Sequence, residues 1–319
     1  MQIYAFQPAK VQLFSDICKF LVVFVRFFCI FRHFLLPSDS AKPQKAAFAP
    51  KLRSQNPANG KINRNLFAHS DFLLYLCSVK AQIMAIGNVT PDSFYAASRL
   101  VLEHELLRWA HRVLAEGASI LDIGACSTRP GSTPVDEEGE WNRLQPALAA
   151  LRKELPDVAL SIDTFRPEIA RRAIECFGPL TVNDISGGCE AMYEVVRRWN
   201  VPYIWTLCGQ LDLPAHRPEM NELQLILDPG FGFIGSTEAD YECLRRMDTL
   251  RQYERPVLVG VSRKSMIWRP LGITPEESLS ATQVLHLYAL QHGATILRVH
   301  DVKEAAQTIS LWERLKIED

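Results

Sequence analysis

From Gln82 onward, short runs of β-branched and aliphatic residues alternate with longer amphipathic runs, and no other feature restricts the fold of this chain so tightly. Eight short runs stand out: Ile83–Ile86, Ser119–Ile123, Ala159–Ile162, Thr181–Val182, Tyr203–Leu207, Leu225–Leu227, Val257–Val259 and Ile296–Val299. Each is almost continuously apolar, as a parallel strand covered on both faces must be. The intervening runs read as helices. Val135 to Glu138 opens an acidic first turn, and Leu144, Leu148 and Leu151 then recur on one face. Glu276 to His292 carries Leu279, Val284, Leu285, Tyr288 and Leu290, with Gly293 as its stop. Eight such units over roughly 235 residues approach the ~250 of a (β/α)₈ TIM barrel. The rival is a doubly wound open sheet, but no G-x-G-x-x-G follows the first run.

A barrel of this kind places its active site at the C-terminal ends of its strands, and polar residues cluster there in the sequence. Asn88-Val-Thr-Pro-Asp92 follows the first run, Ser127-Thr128-Arg129-Pro130-Gly131 the second, Asp163-Thr164 the third and Asn183-Asp184 the fourth. Asp228-Pro-Gly follows the sixth and Ser262-Arg263-Lys264-Ser265 the seventh, while the eighth carries Arg298, His300 and Asp301. The fifth offers nothing comparable. Any one of these has an ordinary reading as a turn or a helix cap. Turn chemistry does not, however, ask for Lys264, Arg298 and His300 at a single rim.

Those three cations fall where the last two loops of such barrels bind phosphate, so an anionic substrate group is expected there. Asp163, Asn183 and Asp228 supply acceptors suited to a flat heterocycle with several N–H donors. Asn88 offers one neutral carboxamide oxygen, a suitable single protein ligand for Mg²⁺ that otherwise keeps water and phosphate oxygens.

The motifs Ile86-Gly-Asn-Val-Thr-Pro-Asp-Ser-Phe94, Asp122-Ile-Gly-Ala-Cys-Ser-Thr-Arg-Pro-Gly131, Ser161-Ile-Asp-Thr164, Val182-Asn-Asp184, Leu227-Asp-Pro-Gly-Phe-Gly-Phe233, Gly260-Val-Ser-Arg-Lys-Ser-Met-Ile267 and Arg298-Val-His-Asp-Val302 together resemble the dihydropteroate synthases. The resemblance runs in order over 82–316. It implies condensation of 6-hydroxymethyl-7,8-dihydropterin diphosphate with p-aminobenzoate, giving 7,8-dihydropteroate and diphosphate. It also implies Mg²⁺ on Asn88, a diphosphate gripped by Arg298 and His300, and a pterin held by Asp163, Asn183, Asp228 and Lys264. Thr128, Arg263 and Ser265 would shape the p-aminobenzoate pocket, with Arg129 and Phe233 among the substrate-binding residues. A cytoplasmic homodimer is implied by the same likeness. Two other readings stand beside it: a degenerate barrel that binds a pterin or a protein partner without catalysis, and a pterin-dependent methyltransferase domain. The second has no need of the Ser-Arg-Lys-Ser and Arg-Val-His pair.

Three departures from the family pattern carry expectations. Tyr95-Ala-Ala-Ser98 replaces an Asp-Gly-Gly element, removing a carboxylate that would stabilise a developing cation, so slower catalysis is expected. Phe233-Ile-Gly-Ser-Thr237 lacks a lysine of the family pattern. Only 20 residues separate Leu207 from Asp228, and Pro214, His216, Arg217 and Pro218 make a poor helix interior. A fifth crossover helix is therefore expected to be missing, with Trp205-Thr-Leu207 in place of Met-His-Met. An uncovered wall would then need an oligomer partner or the N-terminal extension over it.

Residues 1–60 are set apart as a non-barrel extension, and 61–319 as the barrel. The stretch 11–36 is not read as a membrane contact, because Arg26, Arg32 and His33 interrupt its apolar run. A net charge of -1 gives no electrostatic footprint for a nucleic acid, and eight cysteines without a C-x-x-C pair fit a reducing compartment.

Overall fold

In the computed structural model, the residues described are 81–89, 99–125, 135–212, 220 and 222–315. The N-terminal extension, the 11–36 stretch, the Tyr95–Ser98 departure, Thr128 and Arg129 lie outside them. Eight strands form one parallel sheet: β1 (Gln82–Asn88), β2 (Ile120–Gly124), β3 (Ala159–Asp163), β4 (Thr181–Asp184), β5 (Pro202–Thr206), β6 (Gln224–Asp228), β7 (Leu258–Val259) and β8 (Ile296–Val299). Sequential neighbours pair from β1 to β6, and β8 joins β1 to β7. A parallel bridge between Leu227 and Val257, with Leu227 N donating to Pro256 O at 2.8 Å, closes the circle. The expected (β/α)₈ barrel is the observed fold.

The strands alternate in two directions, and the two apolar clusters record it. Met84, Ile120, Ile204, Ile226, Leu258 and Ile296 fill the barrel interior, while their neighbours in sequence join the larger core beneath the helices. That outer core is covered by α1 (Arg99–Glu116), α2 (Glu137–Glu154), α3 (Pro167–Phe177), α4 (Glu190–Trp199), α5 (Thr237–Arg245), α6 (Ser265–Leu271), α7 (Leu279–Gln291) and α8 (Val302–Leu315). Local chemistry sets their starts. Asp136 caps α2 by accepting from Gly139 N at 2.8 Å ahead of three acidic residues, and Ser236 caps α5 by accepting from Ala239 N at 3.1 Å.

Among the described residues no α-helix lies between β5 and β6, as the proline-rich spacing requires. The expectation of an exposed wall is not met, however. Tyr203, Trp205, Leu207, Leu225 and Leu227 are buried, together with Leu211, Met220 and Leu223 of the connection. The described part of the connection places three apolar side chains, Leu211, Met220 and Leu223, in the same core as the outward face of the two strands. No helix among the described residues is long and apolar enough to cross a membrane.

Gly87 of β1 packs directly against Trp109 of α1. A Cβ built there would lie 2.6 Å from Trp109 Cη2 and 3.0 Å from Ile123 Cδ1. Gly87→Ala is expected to destabilise the fold by about 1–3 kcal/mol through forced repacking of Trp109. The urea midpoint read by tryptophan fluorescence checks this, and an unchanged midpoint would contradict the packing.

Candidate active site at the barrel mouth

The strands run further toward the mouth than their apolar residues do, and their last inward-facing positions are polar. Two residues beyond Ile120 stands Asp122, two beyond Ser161 stands Asp163, two beyond Ile226 stands Asp228, and two beyond Ile296 stands Arg298. Strand register brings them together: Asn88 pairs with Gly124, Gly124 with Asp163, and Asp163 with Asn183.

Arg298 sits at the centre of this ring. Its Nε donates to Asp122 Oδ2 and its Nη2 to Asp163 Oδ2, both at 2.7 Å, while Asn183 Nδ2 donates to the same Asp122 oxygen at 3.0 Å. Asp122 and Asn183 are buried, and Asp163 and Arg298 nearly so. Burial raises the Asp163 carboxyl to about 6, against the opposing pull of Arg298 and with a push from Asp122. Burial disfavours the Arg298 cation, yet Asp122 and Asp163 more than offset this and hold its pKa above the ordinary value. Asp122 is a site residue that the sequence reading missed. It lies inside an apolar run, and its only signal is a carboxylate at a position where a buried strand has no use for one.

Lys264 approaches from the other side of the mouth. Its ammonium donates to Phe231 O and lies 4.7 Å from the centre of the Phe233 ring. The Asp228–Phe233 loop is built around this side chain. Asp228 Oδ1 accepts from Gly230 N, and buried Asp240 of α5 accepts from Gly232 N, both at 2.8 Å. Gly232, at φ +81°, leaves room for Lys264, whose Cδ is 2.9 Å from where a Cβ would stand. Burial lowers the Lys264 ammonium to about 8, Asp228 being the main opposing charge. Burial likewise raises the Asp228 carboxyl, against Lys264 and the Gly230 bond.

The remaining expected residues take varied places. Asn88 ends β1 with its Oδ1 beside Gly124, 3.7 Å from where a Cβ on that glycine would stand. His300 is exposed at the rim, its backbone N–H donating to Ser262 Oγ at 3.2 Å. Ser265 opens α6, and Phe233 is 40% exposed at the mouth. Arg263 points away from the ring and forms a two-pronged ion pair with Asp301, at 2.9 and 2.7 Å. Asp184 does not join the site: it faces outward and accepts from Ser186 N, Ser186 Oγ and the buried Tyr203 hydroxyl. The fifth strand, in contrast to its sequence reading, does contribute a polar group. Thr206 pairs with Asp228, is 2% exposed, and has an Oγ1 without a hydrogen-bond partner among the described residues.

The chain that carries this ring of two carboxylates, an amide and a guanidinium is similar to known proteins over most of its length. The model of the pterin binding enzyme family matches residues 84–219 and 210–300. A dihydropteroate synthase of Streptococcus pyogenes serotype M3 is 35% identical over 259 residues, covering 74% of this chain and 96% of the relative. This chain is a member of the dihydropteroate synthase family. Solved structures agree with the assignment. The Clostridium difficile dihydropteroate synthase, determined in the presence of pteroic acid, superposes with a TM-score of 0.67 at 29% identity, covering 74% of this chain and 97% of that one. The Xanthomonas albilineans enzyme with 4-aminobenzoic acid gives 0.65 at 32% identity, covering 74% and 93%.

In this family member, breaking a buried ion pair from one side leaves the other charge uncompensated. Arg298→Met, with Asp122 wholly buried opposite it, is therefore expected to cost about 3 kcal/mol of folding stability. Denaturant titration measures it, and a loss below about 1 kcal/mol, the level of an exposed pair, would contradict the network.

Proposed function

We propose that the chain is a working dihydropteroate synthase, a transferase that joins 6-hydroxymethyl-7,8-dihydropterin diphosphate to p-aminobenzoate. The observation that carries this reading is the convergence of Asp163, Asn183, Asp228, Lys264 and Arg298 on one end of a barrel. Asp163, Asn183 and Asp228 would accept from the donor edge of the pterin, with Lys264 on the same ring. A buried site of this kind discriminates strongly against ligands that leave its polar groups unpaired. Arg298 has five N–H donors, of which two are used here, so three remain for a diphosphate. His300 at the rim and Arg298 below it would grip that group. Thr128, Arg129, Phe233, Arg263 and Ser265 are assigned to the p-aminobenzoate side.

Asn88 fits Mg²⁺. Its neutral oxygen lies beside Gly124 at the end of β1, and a hard cation that keeps several waters needs little more from the protein. When bound, Mg²⁺ would neutralise charge on the diphosphate oxygens. The C–O bond between the pterin methylene and the diphosphate breaks, and the diphosphate leaves with the bonding pair. The arylamine nitrogen then attacks the cation-like methylene and gives up a proton. Arg298 and His300 stabilise the negative charge that develops on the leaving diphosphate, Lys264 helps hold the pterin, and the fixed positions of their partners keep reorganisation small. The location proposed is the cytoplasm, consistent with free thiols at Cys176, Cys189, Cys208 and Cys243. A homodimer is proposed as well, supported by the exposed Val284, Leu311 and Leu315 on α7 and α8.

The test is diphosphate release by the purified chain given Mg²⁺ and both substrates. Lys264→Ala and Arg298→Ala are each expected to lower kcat/KM by about 100-fold or more. Because the lysine must stay charged, kcat/KM for the pterin diphosphate should fall as pH rises through about 8, and Lys264→Arg should remove that limb. A wild type that binds the pterin diphosphate without turning it over would favour the degenerate binding barrel instead.

A further inference from the structure

The loop after β7 contains a conformational oddity with two supports. Val261, Ser262, Arg263 and Lys264 form a turn closed by Lys264 N donating to Val261 O at 3.1 Å. Its third residue, Arg263, has φ +54°. That is the position where tight turns of this shape favour glycine, because a side chain there is strained. The turn also determines which way the next two side chains point. Arg263 leaves the barrel, and Lys264, with extended backbone, enters it to reach Phe231 O and Asp228.

Two groups outside the turn hold Arg263 in this conformation. Asp301, immediately after His300, takes the guanidinium with both carboxylate oxygens, and the pair is largely shielded, with side chains 31% and 15% exposed. The Arg263 backbone N–H donates at 3.4 Å to Thr282 Oγ1 of α7, which itself donates to O of Ser278, the residue that caps that helix. A strained residue persists only where its surroundings over-determine it, and a planar guanidinium gripped by two parallel bonds is the stronger of the two constraints. Asp301 does not reach the ring. It acts on the ring only through Arg263.

We propose that Asp301 is a positioning residue: its fork on Arg263 locks the strained turn after β7 and thereby aims Lys264 into the barrel. The guanidinium of Arg263 is occupied in this role, so its contribution to the arylamine side is made by the loop it fixes. The proposal rests on the synthase reading for the part Lys264 plays, but the placement of Lys264 is measurable without turnover.

The groups facing Lys264 are Asp228 of β6, Arg298 of β8, Asp240 of α5 and Asp163 of β3, and none is altered by a change at 301 or 263. Competitive acetylation across pH, read by mass spectrometry on the Lys264 peptide of the full chain, reports the titration and accessibility of that amine. In the wild type it should titrate near 8 and react slowly. Asp301→Asn should move the titration toward the ordinary lysine value and speed labelling at least several-fold. Arg263→Gly, which adopts the turn without strain, should leave both unchanged, and Asp301→Asn combined with Arg263→Gly should restore them. Asp301→Glu should fall between wild type and Asp301→Asn. In kinetics, Asp301→Asn should raise KM for the pterin diphosphate by about tenfold. Unchanged labelling in Asp301→Asn overturns the proposal, as does Arg263→Gly exposing Lys264 as fully as Asp301→Asn does. A wild type with slow, low-pH Lys264 labelling but no turnover would sink the synthase reading and leave the positioning role standing.

Discussion

A guanidinium buried between two carboxylates at the mouth of a parallel barrel is the interaction on which the rest of the site depends. Arg298 cannot be charged there without Asp122 and Asp163, and neither carboxylate can be buried without Arg298. Asn183 ties Asp122 into the same network from the next wall. The gain from such an arrangement is geometry more than stability. Four strands that share no neighbouring residues in sequence, β2, β3, β4 and β8, are held to one configuration. A planar heterocycle can be read only by groups that do not move, and this network fixes them before any ligand arrives.

The opposite wall solves a different problem, that of keeping a lysine charged and aimed in a buried place. The loop after β6 wraps its side chain with backbone: Phe231 O accepts from the ammonium, Gly232 yields space to the stem, and Asp240 pins Gly232 from below. Asp228 supplies the counter-charge. The loop after β7 supplies direction through its strained turn. The two loops are thus interdependent, and damage to either reaches the same amine. The outward faces of β5 and β6 share a core with Leu211, Met220 and Leu223 of their connection.

The barrel was legible because eight apolar runs and their spacing admit few topologies, and the mouth because its cations and carboxylates recur at run ends. The strand ends were less legible. Counting only apolar residues cut β1, β3, β4 and β6 short, since Asn88, Asp163, Asn183, Asp184 and Asp228 lie on the strands themselves. Asp122 was hidden for the same reason, and Thr206 because a lone threonine carries no charge to draw attention. The exposed wall expected beside β5 is not found among the described residues, where Leu211, Met220 and Leu223 of the connection are buried with the strands. No sequence rule separates Arg263 from a ligand-binding arginine. Its partner, Asp301, lies 38 positions away and meets it only through the register of the last two strands.

The central claim, that Asp122 serves the pterin site through Arg298 and not by contact of its own, is tested most directly by a double-variant cycle on pterin diphosphate binding. Asp122→Asn, Arg298→Met and their combination would be titrated calorimetrically. The account predicts strong coupling, with the double variant binding no more weakly than Arg298→Met alone. Losses that simply add would contradict it and would mean that the carboxylate and the guanidinium act on the ligand independently.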